Sequence, residues 1–163
     1  HDALHGCPVN LGQNHQQADY TLIRGQKEIS RLMPRSLFSP RNNPMDPLQI
    51  EHYRSELQSE YPDAQIKVAP DQREMVAELS GERAIAIIER SQPHFHTEIT
   101  EAYRVLRGTL LVARAGMGFV LQVGENITIT PGQIHHAQAL GDPAWIEVLC
   151  DPAWRADDHL VLS

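Results

Sequence analysis

Short apolar runs alternate with turn residues through the second half of the chain. The runs are rich in Val, Ile and Leu and occupy positions 84–89, 102–107, 109–114, 119–123, 127–130, 134–140 and 145–150. Glycine or proline stands between neighbouring runs, for example at Pro93, Gly108 and Gly124. Strands about 8–12 residues apart with turn signals between them are typical of a β-sandwich or barrel. Because no helix of useful length interrupts these runs, the pattern predicts an all-β domain.

One amphipathic helix is predicted just before these strands. Asp46 can act as its N-cap, and Pro47 suits the first helical position, where a missing N–H costs nothing. Pro62 ends the pattern. The apolar residues in this stretch recur at helical spacing and are Ile50, Tyr53, Leu57 and Tyr61.

Residues 71–81 fit either a second short helix or a strand. Asp71 and Glu74 have capping-box spacing, and Gly81 is a C-terminal signal, which favours a helix. The apolar residues of this stretch, which also suit a strand, are Met75, Val76 and Leu79.

The first 45 residues have a different pattern of apolar and polar positions. They contain few apolar runs and end in Ser39-Pro40-Arg41-Asn42-Asn43-Pro44, which is dense in turn residues. We therefore predict an N-terminal arm or linker over residues 1–45 and one domain with a leading helix over residues 46–163.

Charge and composition exclude several kinds of partner. The chain has 163 residues, with 14 Lys and Arg against 21 Asp and Glu and a formal net charge of -7. Nucleic acids and anionic membrane surfaces require a cationic surface, so neither is an expected partner. No run approaches the roughly 18 apolar residues of a membrane span. Cys7 and Cys150 form neither a CxxC pair nor a disulfide framework, which favours a cytoplasmic location.

Nine histidines stand against two lysines, and a pair of them is the strongest chemical signal. His94 and His96 are two residues apart, so on an extended strand both imidazoles point to one face. Glu101 follows after a turn-length interval, and His135 follows the Pro131-Gly132 turn. Three imidazoles and one carboxylate suit a divalent ion such as Fe, Mn, Ni, Co or Zn.

These residues resemble the two motifs of the cupin superfamily. His94, His96, Glu101 and Gly108 match the first motif in type and spacing, while Gly124, Gly132 and His135 match the second. The motif positions occupied here by Ile88, Thr130 and Ala139 depart from the pattern, but none of them is a usual metal ligand. The resemblance covers roughly residues 84–163.

The resemblance implies an antiparallel jelly-roll (cupin) β-barrel that holds one divalent transition-metal ion per chain through His94, His96, Glu101 and His135. It also implies a small-molecule ligand or substrate. A metal-dependent enzyme of oxygenase, isomerase or lyase type is our first choice. A non-catalytic metal-assisted binder of a sugar or carboxylate is the alternative, and a sugar isomerase similar to mannose-6-phosphate isomerase is a further one. A purely structural barrel has no need of such a ligand set.

Other side chains near the motifs have weaker assignments. Tyr103 shares a strand face with Glu101, so it is expected inside the barrel as a core residue or a catalytic group. Glu98 is a second candidate for proton transfer. His159 is interpreted as structural or surface, and Cys150 as a buried thiol. A homodimer formed through residues 1–45 is the expected assembly, since arms often cover sheet edges.

Overall fold

The structure is a computed structural model that describes residues 22–24, 27–28 and 43–162. It contains one α-helix and two β-sheets. The helix is α1 (Pro47–Glu60), and the strands are β1 (Leu22–Arg24), β2 (Lys27–Glu28), β3 (Gln65–Val68), β4 (Glu74–Ser80), β5 (Arg83–Ile88), β6 (His94–Phe95), β7 (Thr100–Arg107), β8 (Leu110–Arg114), β9 (Met117–Leu121), β10 (Asn126–Ile129), β11 (His135–Ala139), β12 (Ala144–Asp151) and β13 (Leu160–Val161).

The two sheets are almost entirely antiparallel and pack face to face. One has the order β13-β6-β11-β8-β9-β1-β2 and the other β10-β7-β12-β5-β4-β3. Only the contact of β1 with β9 is parallel among the described strands. Side chains from both sheets, such as Val112 and Ala137 opposite Val105 and Ile146, form one buried cluster between them. The all-β jelly-roll prediction is confirmed.

Helix α1 lies on the outer face of the six-stranded sheet. The Asp46 side chain accepts a hydrogen bond from the Gln49 backbone N–H (2.9 Å), and the Gln49 side chain accepts one from the Asp46 N–H (3.0 Å). This capping box fixes the predicted start of the helix. Ile50 and Leu57 are buried against a second apolar cluster that includes Trp145.

Residues 74–80 form strand β4 and not a helix. Met75 and Ala77 are fully buried while their neighbours are half-buried, which is the two-residue period of a strand. Strand β4 pairs with both β3 and β5. Of the two assignments that the sequence allowed, the strand is therefore the correct one.

The predicted arm falls mostly outside the described residues. Strands β1 and β2 lie within it, and β1 pairs with β9 in the seven-stranded sheet. The division at residue 45 and a dimer built through residues 1–45 stay predictions. Across the part of the chain that is described, no helix combines the length and the apolar character that a membrane span needs.

Candidate metal centre

Four side chains from both sheets converge inside the barrel. His94 lies on β6 directly opposite His135 on β11, and His96 follows β6. Glu101 reaches them from β7 in the other sheet. Each of the four is buried, and their ligand atoms all lie within 4.8 Å of one another. The structure thus brings together all four side chains that the motifs singled out, and they could hold one metal ion.

Each of the three imidazoles is oriented by a backbone carbonyl. In every case Nδ1 lies within hydrogen-bond distance of the carbonyl oxygen: His94 with Gln92 (2.7 Å), His96 with Asp158 (2.6 Å) and His135 with Gln133 (2.9 Å). A carbonyl oxygen can only accept, so Nδ1 must carry the proton and donate it. In the neutral ring Nε2 then carries a lone pair, which is the form that binds metals.

The three Nε2 atoms surround one carboxylate oxygen. Glu101 Oε2 lies 3.0 Å from His135 Nε2, 3.3 Å from His96 Nε2 and 4.0 Å from His94 Nε2. The His96 Nε2 atom is buried and makes no hydrogen bond. Lone pairs that face a carboxylate repel it unless a cation lies among them, and a buried polar atom without a partner is costly. The donor set therefore fits a metal ion.

The pKa shifts of these groups indicate a neutral imidazole at His94 beside an ionised carboxylate at Glu101. Burial, together with the charge of His135, lowers the pKa of His94 to about 3, so this ring is neutral at physiological pH. Burial acts to raise the pKa of Glu101, but the neighbouring His135 and His96 rings favour its charged form more strongly, so the net shift is downward. Glu101 is therefore ionised and needs a proton or a metal ion beside it.

Tyr103 and Cys150 support Glu101 from the barrel interior. The Tyr103 hydroxyl donates to Glu101 Oε2 at 3.0 Å, and Cys150 Sγ lies 3.9 Å from Oε1. Burial raises the pKa of Tyr103 well above its ordinary value and that of Cys150 to about 12, so both keep their protons. The predicted buried thiol is confirmed. Tyr103 thus contacts the candidate ligand Glu101 directly, and a catalytic role for it stays a prediction.

A C-terminal strap, residues 152–161, forms the outer support of the centre. The Asp158 carboxylate accepts hydrogen bonds from the backbone N–H groups of Thr97 (2.8 Å), Glu98 (3.1 Å) and Ile99 (3.0 Å), and from the Thr97 hydroxyl. The hydrogen bonds from Thr97 hold the pKa of Asp158 below its ordinary value. Asp158 thereby fixes the turn between His96 and Glu101. Sequence reasoning did not find this residue.

His159 also lies at the centre, so it is not the surface residue that the sequence allowed. Its ring is half-buried and stacks on His94, with centroids 4.2 Å apart and 29° between the planes. Strand β13 follows and pairs with β6. No second His or Cys at ligand spacing accompanies His159 in sequence, so only the fold of the strap reveals its place.

Glu98 is not brought to the centre. Its side chain is 62% exposed and pairs with Arg155 at 3.0 Å. Glu98 contacts the strap through this pair, and its role in proton transfer stays a prediction.

A cavity of about 930 Å³ opens beside the metal centre. His94, Glu101, Tyr103 and His159 line one part of it, and the inner faces of β3, β4 and β5 line the rest. Glu74 on β4 is a charged group of this wall, which sequence reasoning considered only as a helix-capping residue. The cavity gives a small molecule access to the four candidate ligands.

Comparison with known proteins supports the fold. No protein-family model matches the sequence, and a search of curated proteins finds no match. Among solved structures, a variant of Streptomyces PAC13 solved with uridine aligns with a TM-score of 0.54 at 13% identity and covers 63% of this chain and 87% of that one. Pac13 is described as a nucleoside dehydratase.

Oxalate decarboxylase from Bacillus subtilis aligns with a TM-score of 0.51 at 18% identity, covering 63% of this chain and 31% of that one. Identities this low carry information on fold alone. Together with the two matching motifs and the jelly-roll topology, they show that the described barrel has the cupin fold.

Proposed function

We propose that this chain is a metal-binding cupin enzyme. One divalent transition-metal ion is held by His94, His96, Glu101 and His135, and a small molecule reacts in the adjoining cavity. The observation that carries the proposal is the set of three Nε2 atoms around a buried carboxylate, with each Nδ1 within hydrogen-bond distance of a carbonyl oxygen.

The chain's own residues prepare this site in three ways. The carbonyl contacts hold the imidazoles in the tautomer that presents Nε2. Tyr103 holds Glu101 through a hydrogen bond, and Asp158 holds the turn that carries His96. When bound, a divalent metal would supply a Lewis acid beside the cavity. Burial of the four ligands excludes bulk water from the side facing the protein.

The fold does not determine the reaction, because one fold supports many chemistries. The related structures include a nucleoside dehydratase and an oxalate decarboxylase, so uridine and oxalate belong in a substrate panel with sugars, keto acids and catechols. Metal-loaded protein would be incubated with each compound while oxygen uptake and product masses are followed.

Turnover of at least one compound is expected for wild type and none for the His135→Ala variant. Tight binding of one compound with turnover of none would instead favour a non-catalytic metal-assisted binding protein.

A further inference from the structure

The cavity wall contains a carboxylate whose role the metal centre does not explain. Glu74 begins strand β4, where side chains alternate between the two faces of the sheet. Met75 and Ala77 pack in the cluster beneath helix α1, whereas Val76 packs against the cluster between the sheets. Glu74 shares the face of Val76 and lines the cavity together with Glu101.

Glu74 has no protein partner within the described residues: its carboxylate makes no hydrogen bond or ion pair there. Nearby acids differ in this respect. Glu78 on the same face of β4 pairs with Lys67 at 2.7 Å, and Glu89 pairs with Arg73 at 2.5 Å. A half-buried carboxylate without a donor is unfavourable, so a donor from outside the chain would stabilise it.

The surroundings of Glu74 also disfavour its ionised form when no donor is present. Burial, with added repulsion from Glu101 and Asp71, raises the pKa of Glu74 to about 7. Part of the population is therefore ionised at neutral pH.

The charges along the cavity wall disfavour an anionic ligand. The carboxylates that line it are Asp63, Asp71, Glu74, Glu78 and Glu101. Its cationic residues are Lys67, which pairs with Glu78, Arg90, and Arg83, whose side chain pairs with Glu147 at 2.7 Å on the outer face of the sheet. Two of these three cations are thus already neutralised by the chain, so a phosphate lying along this wall, away from the metal centre, would meet little compensation from side chains.

The aliphatic part of the wall suits the carbon skeleton of a small molecule. Ala84 and Ala86 leave room beside Ile88 and Val148 on the same wall. A ligand with apolar faces and several donor groups matches this combination of surfaces.

We propose that Glu74 is the ligand-recognition residue of the cavity, where it accepts a hydrogen bond from a hydroxyl or amino group of an unphosphorylated polyol such as a sugar or amino sugar. This inference rests on the proposed function for the location of the ligand beside the metal. It makes a phosphosugar the disfavoured member of the sugar class, so the phosphosugar form of an isomerase is disfavoured with it.

The test compares three matched probes: glucosamine, glucose and glucose 6-phosphate. Affinities would be measured by calorimetry for wild type and the Glu74→Gln and Glu51→Gln variants, each with and without added Mn²⁺ or Zn²⁺. Glu51 lies on the exposed face of α1, so its variant makes the same charge change away from the cavity. Metal content would be measured on the same samples.

We expect wild type to bind glucosamine most tightly and glucose 6-phosphate most weakly. Glu74→Gln should weaken glucosamine binding by roughly tenfold or more and remove its advantage over glucose, because a charge-assisted hydrogen bond is lost. Glu51→Gln should bind as wild type does, and Glu74→Gln should keep its metal.

Three results would overturn the role of Glu74: glucose 6-phosphate binding as tightly as glucosamine, equal affinities for the two variants, or no binding of any probe. Absence of metal from wild type would contradict the proposed function instead. In that case, the relative affinities for the three probes measured without metal would still test the role of Glu74 in ligand recognition.

Discussion

Within the described part of the chain, buried carboxylates of the six-stranded sheet have cationic partners on its outer face and lack them on its inner face. On the outer face, buried Glu147 pairs with Arg83 and Arg104, each at 2.7 Å. Arg107 lies over the Trp145 ring, 4.1 Å from its centroid. On the inner face, Glu101 meets only imidazoles, a hydroxyl and a thiol, and Glu74 meets no partner among the described residues.

This difference distinguishes residues that stabilise the fold from residues that can bind a metal ion or a ligand. The outer face is complete once α1 has packed on it, because the chain supplies the counter-charges of Glu147. The inner face leaves two carboxylates that need something from outside, a cation at Glu101 and a hydrogen-bond donor at Glu74. Paired charges are thus a sign of structure here, and unpaired ones a sign of function.

Truncating the outer cluster should damage stability and spare the metal centre. Leu57 on α1 is fully buried, so Leu57→Ala should lower the free energy of unfolding by about 2–5 kcal/mol. Metal stoichiometry of the folded variant should equal that of wild type. Urea denaturation measures the stability and elemental analysis measures the metal content. Loss of metal from a variant that is still folded would show that the outer face also supports the metal centre.

Removing the support of the strap should weaken the metal centre without removing a ligand. Asp158→Ala releases the turn that carries His96, and loss of such supporting contacts typically lowers metal affinity by about 10–100-fold. Asp157→Ala is the matched control, since the neighbouring Asp157 side chain is 82% exposed. Competition with a Zn²⁺ chelator measures the affinity. Equal affinities in the two variants would contradict the role of the strap.

Neutralising Glu74 should stabilise the apo-protein at high pH and leave it unchanged at low pH. The folded-state pKa of about 7 lies above the ordinary 4.5, so the folded state binds more protons between these values. Unfolding free energy therefore falls as pH rises through this window, and the penalty is complete above pH 7. The Glu74→Gln substitution removes this penalty.

The gain at pH 8 should be on the order of 1–2 kcal/mol, allowing for partial exposure of Glu74. At pH 4.5, the ordinary pKa of the group, little difference should remain. Chemical denaturation of wild type and Glu74→Gln at both pH values measures the effect, and a gain of equal size at the two pH values would show that Glu74 is not buried as described.

The ligands could be predicted from sequence because each is marked by local spacing. His94 and His96 lie two apart on an extended segment, and His135 follows a turn that also appears in sequence. Residues found only in the structure act over long range. Asp158 bonds backbone groups about sixty positions earlier, and Glu74 lies in a segment whose spacing fitted both helix and strand.

Short elements escaped prediction for a related reason. Strands β6 and β13 have two residues each, too few to show any period. Strand β13 forms where the strap folds back on His94, and β6 lies between β13 and β11, so both strands depend on the finished barrel.

Metal content tests the central claim most directly. Purified wild type, loaded with Mn²⁺ or Zn²⁺ and then dialysed, should carry one ion per chain by elemental analysis. The variant with both His94→Ala and His96→Ala should carry none, and the control His52→Ala, at an exposed position on α1, should carry one. A stoichiometric ion in the double variant, or none in wild type, would contradict the account.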